Sequence, residues 1–594
     1  MFTKISSIKK ILGAKIFYLL LFALFLSIVV SFVEIIGIGF LAVFAVSISD
    51  PKIFLDKIPL IDLKNYLSSL ENFSLIAVLA IVIFLAFLFK HLITFIIFYF
   101  EIKIVKNLSL KIKQKIFKSF LSENYEYYIN NNKSELINVV TNQIASFLSY
   151  AFTVIQILKE VFLISIIFFV ILFVNWKVVL FLTLSLILLT FIFGKIFKKK
   201  LYDIGNQSRI LEGHEIKHLN ESFDSFKFIK LNNKSNFFLD ILTNINLKKN
   251  RFEIFHFLIT KLPKIYLELL TISVFMLVVL YLLFMNQDSS LIFGLITFIA
   301  LSVIRIMPSF ITINNSYANL AFFRAGFEVI FNKIKNLIEY EDINKEKVAE
   351  SSKEVINNIT FQNVRFKYSN SNKINLEDID FKIHKNDILG IIGASGSGKS
   401  TILNLMCGLL APSNGKILFN DKDIFENPKI LINRISYISQ DNYLLDDTLK
   451  NNIAFAIDTK KIDNNRFWNS IKMSNLENII KQLPKNENTI IGDKGSKISH
   501  GQRQKVGIAR ALYSDSDILM LDESLNALDY ENEKIILTNI SKNLENKFLV
   551  MVSHRLESLK HCTKLMIIEE GKIKDLGDKS EILNRNKNLR KYFI

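Results

Sequence analysis

The chain has 594 residues, 51% of them hydrophobic, and Lys plus Arg exceed Asp plus Glu by 18. The apolar residues are concentrated in the first 330, which predicts a membrane half followed by a soluble half. The positive excess lies largely beside the apolar stretches, so contact with anionic lipid head groups explains it without nucleic acid. The two cysteines, Cys407 and Cys562, exclude a disulfide framework and indicate a reducing compartment.

Six stretches are apolar enough to cross a membrane, since a span needs about 20 mostly apolar residues. They lie near residues 16–48, 75–100, 148–174, 178–195, 263–285 and 289–312. Spans three and four are joined only by Asn175-Trp176-Lys177, and spans five and six only by Asn286-Gln287-Asp288, which predicts two tight hairpins. The other inner connections, 101–147 and 196–262, are long and polar, with apolar positions at helical spacing.

Positive charge predicts the orientation of these spans. The segments 1–15, 101–147 and 195–262 together carry 24 Lys or Arg, whereas the opposite side carries 4. The positive-inside rule therefore places both termini in the cytoplasm. The first apolar run is too long for the core of a signal peptide, so we expect an uncleaved first span. The predicted domains are a helical membrane bundle with cytoplasmic extensions at 1–337, a linker at 338–354 and a soluble α/β domain at 355–594.

A glycine-rich loop opens the functional part of the soluble domain. It is formed by Gly393, Ala394, Ser395, Gly396, Ser397, Gly398, Lys399 and Ser400, followed by Thr401. It lies between a predicted buried strand and a predicted helix, which is the context of a phosphate-binding P-loop. Backbone N–H groups of such a loop hold phosphates, Lys399 can reach the β- and γ-phosphates, and the Ser400 hydroxyl can ligate Mg²⁺. A plain glycine-rich turn is the alternative, but the complete motif and both flanks favour a nucleotide site.

Further motifs surround this loop in a fixed order. They are Tyr368, Gln440, Ser499-His500-Gly501-Gln502, the carboxylates Asp522 and Glu523, Ala527-Leu528-Asp529, and His554. Singly, each has a structural explanation, such as a surface tyrosine, a strand-capping carboxylate or a loop histidine. In this order and spacing they resemble the nucleotide-binding domain of ABC transporters, and six spans before one such domain resemble a half-exporter of that family.

The resemblance implies ATP and Mg²⁺ as ligands. Tyr368 is then the residue that stacks on adenine, Gln440 contacts Mg²⁺, and the stretch 499–502 contacts the γ-phosphate of ATP on an opposing domain. His500 replaces the usual glycine, while Ser499, Gly501 and Gln502 are kept. Since a signature stretch completes the opposing site, a homodimer is implied unless a second half-subunit exists.

Catalysis is expected at the end of the buried run Ile518–Glu523. One carboxylate, Asp522, can hold Mg²⁺ through water, and the other, Glu523, can orient or deprotonate the attacking water. Lys399 is the third expected catalytic residue, because it contacts the β- and γ-phosphates. The resemblance adds His554 as the switch histidine of the same site.

Three cations inside predicted spans are candidates for a substrate site, because a charge at a span centre costs about 2.5–3.5 kcal/mol. Lys90 and Arg305 each lie about 16 residues, or roughly 24 Å of helix, from the external end, and Lys264 begins its span from the inside. Three cations at this depth suit an anionic lipid head group such as a pyrophosphate. The alternatives are snorkelling to the inner interface or pairing with Glu34, Glu160 or Glu268.

Four stretches resemble the PglK-type flippase of bacterial protein N-glycosylation. They are Ser31-Phe32-Val33-Glu34, Phe226-Lys227-Phe228-Ile229-Lys230, Pro263-Lys264-Ile265-Tyr266-Leu267-Glu268 and Arg305-Ile306-Met307-Pro308-Ser309. Thr312 departs from that family, which has a further cation in this region. The resemblance implies movement of a lipid-pyrophosphate-linked oligosaccharide from the inner to the outer leaflet of a bacterial inner membrane. A multidrug, lipid A or peptide exporter, and a regulatory ATPase that moves nothing, stay open as alternatives.

Overall fold

The computed structural model describes residues 72–284, 289–344, 354–371, 373–426, 428–431, 433–543, 545–553, 555 and 558–586, with isolated helical positions between 18 and 29. The chain divides into two compact units. The first comprises Met1–Glu123 and Asn131–Lys347, and the second comprises Asn124–Asn130 and Val348–Ile594. Most of the predicted first span, the loop 286–288 and His554 lie outside the described residues.

The first unit is helical throughout its described part. The helices of the first half of the chain are α1 (Asn72–Ser122), α2 (Tyr125–Asn130), α3 (Lys133–Asn138), α4 (Ile144–Asp224), α5 (Phe226–Leu231), α6 (Ser235–Phe284) and α7 (Ser289–Asn344), and all but α2 belong to this unit. Two described stretches are long and apolar enough to cross a membrane, Ile76–Ser122 and Lys133–Ile166. They overlap the predicted second and third spans, and the total of six stays a prediction. The predicted linker, 338–354, begins inside α7.

The chain is helical from Ile144 to Asp224, yet residues from its two ends meet, so it reverses direction within α4 as the predicted hairpin between spans three and four requires. The two halves of α4 lie side by side, because Leu163 and Leu186 pack in one buried cluster. Just before α4, the Gln143 side chain donates from Nε2 to Glu212 at 3.3 Å, near the other end of the helix. The two residues of each pair lie at nearly equal distances in sequence before and after Trp176. The two halves therefore run antiparallel, as the short interruption at 175–177 predicted.

A buried polar contact joins α4, α6 and α7. Asn314 is fully buried, its Nδ2 donates to Thr190 Oγ1 at 3.1 Å, and its Oδ1 accepts from the Tyr266 hydroxyl at 3.0 Å. A buried amide is costly unless it is hydrogen-bonded, so this contact fixes the relative position of the three helices.

Helix α6 contains Pro263 and helix α7 contains Pro308. A proline inside a helix commonly causes a bend.

The second unit is built on two sheets. The strands are β1 (Asn358–Phe366), β2 (Leu376–His384), β3 (Ile388–Gly393), β4 (Asn414–Phe419), β5 (Lys422–Asp423), β6 (Ile435–Ile438), β7 (Ile518–Asp522), β8 (Phe548–Val552), β9 (Lys564–Glu569) and β10 (Lys572–Asp578). The central sheet has the order β10-β9-β3-β8-β7-β6, in which β10 alone is antiparallel to its neighbour. A smaller antiparallel sheet has the order β2-β1-β4-β5. The apolar runs of β7 and β8 are buried along their whole length, as central parallel strands require.

Helices connect these strands and set the position of the motifs. They are α8 (Lys399–Met406), α9 (Leu449–Ile453), α10 (Asn464–Met473), α11 (Glu477–Gln482), α12 (His500–Ser514), α13 (Tyr530–Lys542) and α14 (Lys579–Arg585). Because β3, β6, β7 and β8 are parallel, their carboxyl ends meet at one edge of the sheet. The residues that follow them are the glycine-rich loop, Gln440, Glu523 and, after β8, the predicted switch position. This edge is where open α/β sheets bind ligands.

Candidate functional site

The loop between β3 and α8 forms a cradle of backbone groups. Gly398 has a φ of 105°, and a Cβ atom there would lie 2.7 Å from Leu376 Cδ2. A Cβ atom on Gly393 would lie 2.5 Å from the carbonyl oxygen of Ile568. Only glycine fits these two positions without displacing backbone or core. Residues 394–396 are exposed, so the N–H groups of the loop are accessible to a ligand.

Lys399 lies over this cradle with its side chain almost buried. Its Nζ donates to the carbonyl oxygens of Gly393 at 3.0 Å and Ala394 at 2.9 Å. Burial lowers the pKa of Lys399, while the nearby carboxylates of Glu523 and Asp522 act in the opposite direction. Lys399 is therefore close enough to Glu523, the predicted catalytic residue, and to Asp522, the predicted Mg²⁺ ligand, for their charges to interact.

The loop and the first turn of α8 fit a phosphate group. Ser397 is buried, and its Oγ has no hydrogen-bond partner among the described residues. Ser400 is exposed and Thr401 is buried in the first turn of α8, whose N-terminal N–H groups favour an anion. Mg²⁺ prefers oxygen ligands and usually shares them with substrate phosphates. The oxygens of Ser400, Gln440 and Asp522 fit that preference.

Asp522 and Glu523 differ in environment, as separate roles require. Asp522 is buried and accepts a hydrogen bond at 2.7 Å from the hydroxyl of Tyr437, whose pKa is raised by burial and by the Asp522 charge. Glu523 has a φ of 52°, a left-handed conformation that glutamate rarely adopts and that often marks functional sites. Its backbone N–H donates to Val552 at 3.1 Å, and Asn526 Nδ2 donates to its carboxylate at 3.3 Å.

The stretch 499–502 begins helix α12 with a reciprocal cap. Ser499 Oγ accepts from the Gln502 backbone N–H at 3.3 Å, and Gln502 Oε1 accepts from the Ser499 backbone N–H at 2.9 Å. His500 occupies the first helical position and is exposed, so it leaves the cap intact. The helix N-terminus therefore keeps the positive electrostatic end that an anionic ligand favours.

Gln504 connects three of the predicted motifs and was missed in the sequence analysis. It is 2% exposed, and its Oε1 accepts from the Ala527 backbone N–H at 3.1 Å. Its Nε2 lies 3.5 Å from the carbonyl oxygen of Gln440. The signal in the sequence was the spacing of Gln504 and Ile508, which places both on the buried face of α12.

Tyr368 lies just beyond β1 and is half-buried. Its ring is edge-on to Phe366 with centroids 4.8 Å apart, and its backbone N–H donates to Asn375 Oδ1 at 3.4 Å. Asn375 also approaches the cradle, because its carbonyl oxygen lies 3.4 Å from the Cβ position of Gly398. The predicted adenine-stacking residue and the glycine-rich loop are thus linked through one asparagine.

Helix α2 packs next to Tyr368, a contact that the sequence did not indicate. Glu126 Oε1 accepts from the Ser369 backbone N–H at 2.8 Å, and Asn130 Nδ2 donates to Ser369 Oγ at 3.1 Å. Asn370 Nδ2 donates to Asn130 Oδ1 at 2.9 Å. This short helix comes from the polar connection 101–147, so part of that connection belongs to the nucleotide-binding unit.

The residue after His554 is held by a buried carboxylate. Arg555 Nη1 donates to Glu533 Oε2 at 2.9 Å and to the Leu528 carbonyl oxygen at 2.9 Å, and its Nη2 donates to the Asn526 carbonyl oxygen at 2.8 Å. Glu533 is 4% exposed. Arg555 therefore ties the segment after β8 to the loop that contains the predicted Ala527-Leu528-Asp529 motif.

The predicted substrate cations do not form one group among the described side chains. Lys90 is half-buried with Nζ 5.0 Å from the centroid of Phe87, and Lys264 is exposed. The side chain of Arg305 lies outside the described part. A cavity of about 960 Å³ between α4 and α7 is lined instead by Lys195 and Lys198. The role of the three predicted cations stays a prediction.

The fold and the site define a helical membrane domain joined to a nucleotide-hydrolysing P-loop domain. A family model described as the ABC transporter transmembrane region matches residues 20–309, and a model described as ABC transporter matches residues 376–526. The two models together cover most of the chain, which belongs to the ABC transporters and has the domain layout of an exporter half-transporter. The predicted fold class and ATPase activity are thereby confirmed.

Two curated relatives and one solved structure illustrate the similarity. The alpha-hemolysin translocation ATP-binding protein HlyB of Escherichia coli O6:H1 is 35% identical over 240 residues, which cover 40% of this chain and 34% of the relative. The leukotoxin translocation ATP-binding protein LktB of Mannheimia glucosida is 34% identical over 240 residues, with the same coverage. The match thus spans about a third of these relatives. A bacterial Atm1-family ABC exporter with ATP bound superposes with a TM-score of 0.79 at 17% identity, covering 97% of this chain and 96% of that chain, which shows the shared fold.

Proposed function

We propose that two copies of this chain form an ATP-driven exporter of an amphipathic substrate in a bacterial inner membrane, with both termini in the cytoplasm. The observation that supports a homodimer is the intact cap at the N-terminus of α12, formed by Ser499 and Gln502 at the protein surface. The resemblance to ABC transporters implies that this helix end contacts ATP held by the other copy. ATP and Mg²⁺ then bind between the cradle of one copy and the capped helix of its partner.

A peptide or polypeptide is the first candidate substrate. The relatives are translocation proteins for alpha-hemolysin and leukotoxin, and they favour this alternative over the lipid-linked oligosaccharide that the PglK resemblance implied. The 240 matched residues are about a third of the length of these relatives, and a direct transport assay decides the substrate class.

A lipid-linked oligosaccharide or related anionic glycolipid is the second candidate. The four stretches that resemble the PglK-type flippase favour it, because that family moves an anionic lipid-linked glycan. A hydrophobic cationic drug would be repelled by cations that suit such a head group. The candidate cations Lys90, Lys264 and Arg305 belong to this second hypothesis.

Transport in proteoliposomes separates the two candidates. The full-length protein is reconstituted and supplied with ATP and either a lipid-pyrophosphate-linked oligosaccharide or a panel of polypeptides, with Glu523→Gln as the inactive control. Polypeptide transport by the native protein alone supports the first candidate. Oligosaccharide transport that Arg305→Ala impairs, with basal ATPase retained, supports the second. ATPase activity without movement of either class contradicts both.

A further inference from the structure

The first unit contains an apolar cavity of about 960 Å³ that opens along one side of α4. Phe168, Leu184, Ile187 and Phe191 line it from the two halves of α4, and Phe310 closes it from α7. Leu184, Ile187 and Phe191 are 60%, 56% and 68% exposed in the single chain, so no other part of this chain covers the wall at these three residues. An open apolar wall of this extent on a membrane domain is suited to contact with hydrocarbon.

One end of the cavity is cationic. Lys195 and Lys198 line it there, three residues apart and thus on one face of the helix. Neither lysine makes a hydrogen bond or an ion pair within the described part of the chain. Two free ammonium groups at the end of an apolar wall require an anion or water, and an anion that carries its own apolar part satisfies both ends of the cavity.

The length of the cavity matches one leaflet of a bilayer. Leu184 and Lys198 are 14 residues apart on a continuous helix, which corresponds to about 21 Å. Half of a bilayer, including its head-group region, is about 20–22 Å thick. The lysines lie toward the side that the positive-inside pattern places in the cytoplasm. A lipid of the cytoplasmic leaflet would therefore align its head group with Lys195 and Lys198.

We propose that this cavity is a binding site for one anionic phospholipid of the cytoplasmic leaflet. The phosphate lies between Lys195 and Lys198, and the acyl chains lie against Ile187 and Phe191. The site goes beyond the proposed function, because it holds a resident membrane lipid whichever substrate class is transported. Charge complementarity distinguishes this occupant from a second copy of the chain, which would have to supply an anion at the same place.

Native mass spectrometry of the full-length protein tests the proposal. The protein is reconstituted with equal amounts of phosphatidylglycerol and phosphatidylcholine and released from detergent. The native chain should retain one phosphatidylglycerol in preference to phosphatidylcholine, and Glu523→Gln should retain it equally because a resident lipid does not depend on hydrolysis. Lys195→Ala and Lys198→Ala should each reduce the preference about fivefold, since one cation near an anionic lipid contributes about that factor.

Lys199→Ala is the matched control, because Lys199 is an exposed neighbour that does not line the cavity. It should leave the preference unchanged, and similar thermal unfolding of all variants shows that they are folded. The proposal is overturned if the native chain, both cavity variants and the control show the same preference for phosphatidylglycerol over phosphatidylcholine. So does efficient disulfide formation between two Phe191→Cys copies in the membrane, which assigns the open wall to a subunit interface.

Discussion

The hydroxyl of Tyr437 donates a 2.7 Å hydrogen bond to Oδ2 of Asp522 across two neighbouring parallel strands. Asp522 is the carboxylate expected to hold Mg²⁺ through water, so Tyr437 fixes the orientation of a metal-binding group without binding the metal itself. Such outer partners commonly change metal affinity by about 10- to 100-fold when they are removed.

Tyr437→Phe should therefore weaken the dependence of ATPase activity on Mg²⁺. We expect the Mg²⁺ concentration for half-maximal activity to rise about tenfold, with most of the maximal rate recovered at saturating Mg²⁺. Tyr443→Phe is the control, because Tyr443 is exposed and lies outside this contact. An unchanged Mg²⁺ dependence in Tyr437→Phe would show that the hydroxyl does not orient Asp522.

Glu523→Gln should stop hydrolysis and leave ATP binding intact. Glutamine keeps the size of the side chain but cannot accept a proton from the attacking water, so a loss of about 10²- to 10⁴-fold in turnover is expected. Glu570→Gln is a matched control, because Glu570 also has a left-handed backbone, with φ of 48°, but lies after β9. Turnover and nucleotide binding are measured on the same preparation. Turnover close to native would exclude Glu523 as the water-activating residue.

The ion pair between Arg555 and Glu533 should stabilise the catalytic edge of the sheet. Arg555→Ala leaves the buried carboxylate of Glu533 without its cation, but the Arg555 side chain is 43% exposed and water replaces part of the interaction, so the expected cost is about 1–2 kcal/mol. Arg585→Ala breaks pairs with Asp575 and Glu581 in which the arginine is 57% exposed, and it should cost about 0–1 kcal/mol. Hydrogen exchange of the backbone amides in β7 and β8 reports the difference in stability. Equal exchange rates in the two variants would contradict a stabilising role for the pair of Arg555 and Glu533.

Both cysteines should resist alkylation in the folded protein. Burial raises the pKa of Cys407 and of Cys562 to about 12, so at pH 8 only about one thiol in 10⁴ is the reactive thiolate. Iodoacetamide followed by mass spectrometry should find both thiols unmodified until denaturant is added. Because the folded pKa is the higher one, the associated stability is complete below about pH 8.5 and is lost as pH rises toward 12. Cys562 is buried and Cys407 is half-buried, so rapid labelling of Cys562 at pH 8 without denaturant would contradict this account.

The elements predicted correctly from sequence were those whose signal is local. Strands β3, β7 and β8 are continuous apolar runs because central parallel strands are covered on both faces. The hairpin inside α4 followed from the short interruption Asn175-Trp176-Lys177 between two apolar runs. The glycine-rich loop was recognised because its backbone requirements restrict the residue types directly.

The contacts that were missed depend on residues distant in sequence. Nothing near Glu126 indicates that α2 would bind Ser369, 243 positions later, because a short polar helix has no strong periodic pattern. Lys195 and Lys198 were counted only as cytoplasmic charges, since the cavity exists only once the two halves of α4 pack with α7. Side-chain partners such as Tyr437 and Asp522 require the strand order, which the sequence does not state.

The most direct test of the account is whether two copies complete each other's ATP site. Lys399→Ala removes the phosphate lysine, and Ser499→Arg removes the cap of α12, so each homodimer should be inactive. In an equal mixture about half of the dimers are mixed, and each of those has one intact site formed by the native cradle of one copy and the native cap of the other. ATPase activity up to about a quarter of the native value should therefore return on mixing. No recovery, with mixed dimers shown to form, would contradict the shared site and the exporter mechanism built on it.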